Sequence, residues 1–385
     1  MPQPTRILIS AGEASGDLYG AQLATVVRRR CPTVKIFGVG GEHMRAAGCE
    51  TVIDAQEIAV VGITEILRHL PRIYARFGDL RRAIDQLRPE VGVVIDSPAF
   101  NLRVARALHR RGIPVFYYVA PQFWAWRQWR ARIVRRNVRK ALVIFPFETE
   151  FWRRWGVDAE FVGHPLADLK PAVSSRQQFA KQHGVDATKS WIALLPGSRR
   201  KEVLMNLPEM LRAAEKLGDA CQYLLPVAST LDSSWLQARL QHFAPTRPYS
   251  LSLTDDAATT LAHSRAAVVA SGTATIIAAM MGTPFVMVYR VSPLTWTLGR
   301  PLVSVPHYAM VNLIAGEEVV PELVQSSFTA DNIVARLKPL LVDGETRMRM
   351  EAGLAHVRER LRAAPEDGNR TTAERAAAAV LSALS

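Results

Sequence analysis

Short apolar runs alternate with helix-period segments through the first half of the chain. Arg6–Ser10, Val34–Val39, Val91–Ile95, Val115–Val119, Leu142–Phe145 and Glu160–Val162 read as strands. Runs of this length without polar alternation suit strands buried on both faces. Asp17–Arg30 and Pro98–Arg111 read as helices between them. Ile63–Leu87 carries apolar residues at 63, 66, 67, 70, 73, 77, 80, 84 and 87, a helical spacing with a break predicted at Pro71. The βαβα order predicts a doubly wound parallel sheet.

Gly163–Ser175, with two prolines, reads as a linker, after which the pattern restarts. Trp191–Leu195, Tyr223–Val227, Tyr249–Leu253, Ala267–Ala270 and Phe285–Tyr289 read as strands, Leu204–Leu217 and Ser233–Phe243 as helices, and the last 55 residues as helices. Two tandem Rossmann-like α/β domains follow from this. Ligands of such a pair are expected at the carboxyl ends of the strands, in the cleft between the domains. Residues 266–289 hold no charge over a bilayer-length span, but Gly272, Gly282 and Pro284 cut them into a buried β-α-β piece.

With 385 residues, 49% of them apolar and 22% charged, the chain is long enough for two globular cores. That excludes a disulfide mini-scaffold, a collagen-like chain and a disordered one. Charge adds something new. Forty-eight Lys+Arg against 35 Asp+Glu give +13, and residues 1–165 hold 25 of the cations and 15 of the anions. A basic first half points to a polyanionic partner: nucleic acid, anionic lipid or a phosphorylated small molecule. Three cysteines without a CxxC pair suggest a reducing compartment, and no histidine spacing suggests a metal. The N-terminus lacks the apolar core and cleavage site of a signal peptide.

Five segments could carry chemistry. Gly12-Glu13-Ala14-Ser15-Gly16-Asp17 follows the first strand; Ser15 reads as a helix N-cap, and the turn is either a plain capped βα turn or a site for a hydroxyl-rich substrate. Asp96-Ser97-Pro98 ends a strand, where Asp96 is either part of a helix start or a general base. Gly197-Ser198-Arg199 and Ser271-Gly272-Thr273 each follow a strand and open a helix. Together they suit a diphosphate, through free backbone N–H groups and the fork of Arg199. Trp124–Lys140 carries three tryptophans and seven Lys+Arg with no acid. This mix suits an anionic membrane interface or nucleic acid, or a helix with a solvated basic face.

In order along the chain, SAGEASGDLYGAQL (Ser10–Leu23), VVGITEIL (Val60–Leu67), VVIDSPAFN (Val93–Asn101), YYVAPQFWAWR (Tyr117–Arg127), FPFETEF (Phe145–Phe151), FVGHP (Phe161–Pro165), LLPGSRRKEV (Leu194–Val203), ASGTAT (Ala270–Thr275), GTPFVMVYRVSPLT (Gly282–Thr295) and NLIAG (Asn312–Gly316) resemble the lipid-A-disaccharide synthase family. The resemblance implies a glycosyltransferase-B architecture. Residues 1–168 would be an acceptor- and membrane-binding domain, 169–345 a nucleotide-sugar-binding domain, and 346–385 helices packing back across the cleft.

It also implies a reaction. 2,3-Diacylglucosamine would pass from its UDP derivative to 2,3-diacylglucosamine 1-phosphate, giving a β-1,6 disaccharide 1-phosphate and UDP. No metal or other cofactor is implied. Asp96 would be the general base and Arg199 would neutralise the leaving diphosphate, joined in nucleotide binding by Gly197, Ser198, Ser271, Gly272 and Thr273. Glu13, Ser15, Asp17, Asn101 and Asn312 would serve the sugars, and Trp124, Trp126 and Arg127 the acyl chains and head groups. The chain would be cytoplasmic, peripheral to the inner membrane and without a nucleic-acid partner; a homo-oligomer is left open. Ile277 and Ala99 stand where the family usually has acidic residues, Ile277 where a carboxylate would grip ribose hydroxyls. A divergent paralogue, or another sugar-nucleotide enzyme of this fold such as an epimerase, is the alternative.

Overall fold

The computed structural model describes residues 5–58, 63–168, 174–243, 247–363 and 370–384, and the side chains of these except residues 63–71 and 298. Val60–Gly62 and the side chains of residues 63–67 in the VVGITEIL segment therefore lie outside the described residues. The chain divides into two compact units, 1–168 with 361–385, and 169–360.

The first unit holds a seven-stranded parallel sheet: β1 (Arg6–Ala11), β2 (Lys35–Gly40), β3 (Glu50–Asp54), β4 (Val91–Ile95), β5 (Val115–Tyr118), β6 (Lys140–Val143) and β7 (Ala159–Phe161), in the order β3-β2-β1-β4-β5-β6-β7. The second holds a six-stranded parallel sheet: β8 (Ser190–Leu195), β9 (Cys221–Pro226), β10 (Ser250–Thr254), β11 (Ala266–Ala270), β12 (Phe285–Tyr289) and β13 (Glu322–Val324), in the order β10-β9-β8-β11-β12-β13. Each order reverses once, between β1 and β4 and between β8 and β11. Open α/β sheets bind ligands at such a switch point, beyond the carboxyl ends of its two strands.

The apolar pattern explains the cores. All five residues of β4 and of β11 are buried, because helices cover both faces of a parallel sheet. On one face of the first sheet, Leu80 and Ile84 of helix Ile63–Leu87, Leu108 of helix Pro98–His109 and Val134 of helix Ala131–Asn137 pack with Leu8, Val94 and Tyr117. Helix Ile63–Leu87 runs unbroken through Pro71, contrary to the predicted break. Proline removes one hydrogen bond, at about 3 kcal/mol. Burial of Leu80 and Ile84, with Ile73 and Phe77 beside them, outweighs this.

Residues 266–289 form β11, helix Thr273–Met281 and β12, the β-α-β piece expected. No helix among the described residues is long and apolar enough to cross a membrane. The C-terminal segment divides differently from the sequence expectation. Helix Glu345–Leu361 packs mainly in the second unit: Met350 lies against the amide of Phe285, and Arg360 donates to the Ala315 carbonyl. Helix Thr372–Leu381 returns to the first unit and packs on helix Ala14–Arg30. There Thr372 N–H donates to Asp168 (2.9 Å), its hydroxyl donates to the His164 carbonyl (3.2 Å), and His164 N–H donates to the Leu361 carbonyl (2.9 Å).

Candidate active site

In the first unit, the turns after β1 and β4 meet at the switch point. Gly12 is required there: a Cβ on it would stand 2.5 Å from Ser97 Oγ. Asp96 and Ser97 both take left-handed backbone, with φ of +47° and +48°. Left-handed non-glycine residues cost of order 1–3 kcal/mol each and collect at functional sites. The strain is held by hydrogen bonds: the Asp96 carbonyl accepts from Tyr117 Oη and Asn101 Nδ2 (both 2.9 Å), and its amide donates to the Tyr118 carbonyl (3.2 Å). The N-cap of helix Pro98–His109 is Ser97, without a side-chain cap bond. Asp96 is therefore not the cap that the sequence allowed.

Three buried groups feel the Asp96 charge. Burial, then Asp96, pushes the Tyr19 hydroxyl up to about 12 and that of Tyr117 well above the usual range. Glu148, completely buried, is pushed up to about 7 by burial, with Asp96 adding to the rise. Its carboxyl accepts from Trp124 Nε1 (2.9 Å) and from the amides of Phe145 (3.1 Å) and Ile144 (3.2 Å), which pull the other way. Glu148 was visible in the sequence only as part of FPFETEF; its burial beneath the Trp124 loop depends on contacts 24 residues apart.

Several expected substrate contacts have other work. The N-cap of helix Ala14–Arg30 is Glu13, so Ser15 lies in the first turn rather than at the cap; both are exposed. Asp17 is buried and accepts the amides of Gly41 (2.6 Å), His43 (3.0 Å) and Met44 (3.2 Å). It caps the neighbouring short helix Glu42–Ala46 and is spent on that. Asn101 is fully buried: its amide donates to the carbonyls of Ser10, Ile95 and Asp96, and its oxygen accepts from Ser10 Oγ (2.7 Å). It staples the ends of β1 and β4. Asn312, equally buried, donates to Val320 and Glu322 and accepts from the amides of Val319 and Val320. Neither asparagine is open to a substrate. Trp124 is buried against Phe147 and Glu148, whereas Trp126 is exposed, with the Arg127 guanidinium 4.7 Å from its ring centroid.

The second unit repeats the arrangement with opposite charge. Gly197, at φ +127°, lets the chain fold tightly over Glu202, whose Cβ would lie 2.6 Å from a Cβ at Gly197. The Ser198 amide, expected to be free, donates to Glu202 Oε2 (3.0 Å), as does the Arg199 amide (3.3 Å), and Arg199 Nη1 donates to Oε1 (3.2 Å). A carboxylate of the chain occupies the amide cradle. Arg199 is exposed enough to reach a second anion. After β11, the Ser271 amide donates to the Val288 carbonyl and its hydroxyl to that of Tyr308 (2.8 Å), so Ser271 offers no donor. Exposed Gly272 and Thr273, at the start of helix Thr273–Met281, present the unpaired first-turn amides. Ile277 lies half-buried in that helix.

Comparison with known proteins agrees with this layout. The chain is similar in fold to the glycotransferase of kitacinnamycin (TM-score 0.65, 14% identity, all of both chains) and to a putative UDP-N-acetylglucosamine 2-epimerase from Listeria monocytogenes (TM-score 0.63, 14% identity, 99% of this chain and 96% of that one). At those identities the likeness shows the fold alone. The lipid-A-disaccharide synthase of Koribacter versatilis is 55% identical over 98% of both chains. A family model described as lipid-A-disaccharide synthetase matches residues 7–379. The chain belongs to the lipid-A-disaccharide synthase family.

Proposed function

We propose that the chain joins two acylated glucosamines, taking 2,3-diacylglucosamine from its UDP derivative and 2,3-diacylglucosamine 1-phosphate as acceptor. The observation that carries this reading is a strained aspartate at the switch point of the first unit, in a chain of this family. Asp96 takes the proton from the acceptor's 6-hydroxyl. The oxygen attacks C1 of the donor from the face opposite UDP; the new C1–O bond forms as the bond from C1 to the diphosphate oxygen breaks. The β-1,6 disaccharide 1-phosphate and UDP are the products.

Arg199 and the amides of Gly272 and Thr273 take up the charge that develops on the leaving diphosphate. Glu13 and Ser15 lie on the exposed turn beside Asp96 and bind sugar hydroxyls. Asn101 acts by positioning that turn, and Asp17 by holding the short helix Glu42–Ala46 against it. Exposed Trp126 with Arg127, in the basic unit, supports peripheral contact with an anionic membrane, which as the site of lipid A assembly is the inner membrane on its cytoplasmic side.

Mass spectrometry of products from UDP-diacylglucosamine and diacylglucosamine 1-phosphate tests the reaction. A disaccharide 1-phosphate formed in step with UDP is the expected outcome. UDP release without a disaccharide, or epimerised donor, overturns it.

A further inference from the structure

From Ser97 to Phe147 the chain runs 51 residues without one acidic side chain, and this stretch carries eleven Lys+Arg. Its two helices, Pro98–His109 and Ala131–Asn137, pack side by side on one face of the first sheet, and Pro98–His109 also packs against Ile63–Leu87. Between these last two helices lies a recess of about 280 Å³ lined by Phe77, Arg81, Arg103, Arg106, Arg110 and Arg111.

The five arginines are not equivalent. Arg111 is fixed by a two-pronged pair with Asp85 (2.6 and 2.8 Å), which also faces Arg81. Arg103 is tethered to the Ala99 carbonyl and lies over the exposed ring of Tyr74 (5.7 Å). Arg106 and Arg110 make no ion pair among the described residues. Guanidinium groups gathered around one recess repel each other until an anion sits among them, and their forks match phosphate oxygens in pairs. Phe77 and Ala107 give the recess an apolar wall, and the exposed Tyr74 ring lies beside it under Arg103, as a group entering from a lipid surface needs.

We propose that this recess binds the phosphate of an anionic phospholipid head group and fixes where the first unit rests on the membrane. The inference deepens the membrane contact proposed above and rests on it. A lipid head group fits better than a soluble anion. The arginines open outward beside exposed Tyr74, on the basic unit that also exposes Trp126 and Trp129.

Co-sedimentation of the full chain with phosphatidylcholine vesicles, and with vesicles of equal parts phosphatidylcholine and phosphatidylglycerol, provides the test. Wild type is expected on the anionic vesicles only. One basic residue at an anionic surface is worth about fivefold in affinity, so Arg106→Ser with Arg110→Ser should weaken binding about 25-fold. Arg30→Ser with Lys35→Ser removes the same charge from exposed positions elsewhere in the first unit and should cost clearly less. Wild type that binds neither vesicle overturns the membrane contact and the recess together. Anionic binding that the Arg106/Arg110 variant keeps, or that the control loses equally, overturns the recess alone. Saturable binding of inorganic phosphate that needs Arg106 and Arg110, with no vesicle binding, assigns the recess to a soluble anion instead.

Discussion

The two switch points share a topology and differ in charge. After β1 and β4 the chain presents a carboxylate, Asp96, on strained backbone. After β8 and β11 it presents Arg199 and a helix N-terminus. The parallel sheet decides where a ligand sits in each unit; side chains of the turns decide what the ligand is. A proton acceptor suits an incoming hydroxyl, and a cation with amide donors suits a departing diphosphate. Even the internal partners differ. Burial, and then the Asp96 charge, raises the pKa of the Tyr19 and Tyr117 hydroxyls and of the buried Glu148 carboxyl, whereas Arg199 holds Glu202 in the cradle.

The comparison is broken most severely by Asp96→Asn. Turnover should fall about 10²- to 10⁴-fold, as for loss of a general base, while the melting temperature stays near wild type. Full-rate turnover in steady-state assays would remove the base from the first switch point. Arg199→Ala should cost about 10²- to 10³-fold in kcat, and Arg199→Lys should recover only part, because a point charge cannot fork onto two oxygens. A kcat unchanged in the alanine variant would sink the charge-neutralising role.

Glu148 sharpens the contrast through pH. Its carboxyl ionises at about 7 when folded, against 4.5 ordinarily, so between those values the folded chain binds more protons than the unfolded one. Its contribution to stability therefore falls as pH rises from about 4.5 to about 7 and is flat above. The penalty is about 3 kcal/mol in full. Glu148→Gln lacks this titration, so denaturant midpoints of wild type relative to the variant should decline between pH 5 and pH 8. A constant difference would place the ionisation elsewhere.

Asn101→Ala and Asn312→Ala each orphan buried backbone groups and should lower unfolding free energy by about 2 kcal/mol. Thermal melts showing no loss would return these residues to the substrate. Ile277→Glu has the smallest effect. A carboxylate in helix Thr273–Met281 should tighten UDP binding a few-fold in calorimetry, about one hydrogen bond's worth. No change would mean that another group already holds the ribose.

The sequence made the parallel sheets legible because buried strands write their burial as unbroken apolar runs, as Val91–Ile95 does. It hid β3 and β13. Glu50-Thr51-Val52-Ile53-Asp54 is an edge strand bounded by acids, and Glu322–Val324 has only three residues. The first helix reads as starting one turn late, because Ala14-Ser15-Gly16 looks like a turn when Asp17's true partners, 24 to 27 residues on, are unseen. The positions of Asp96 and Arg199 were legible from the motifs that carry them. The work of Asn101 and Asn312 was not, since a buried amide and a substrate-binding one share the same letter. Occupation of the Ser198 and Arg199 amides by Glu202 was hidden likewise, being a matter of rotamer.

The clasp of Thr372 on Asp168 and His164 has a consequence for biogenesis. Because residues 361–385 belong with 1–168, the unit begun first at the ribosome is the last to be finished. Helix Ala14–Arg30 keeps one flank uncovered while the whole second unit is synthesised and folds. The unit that holds Asp96 is thus completed only after the whole second unit has left the ribosome.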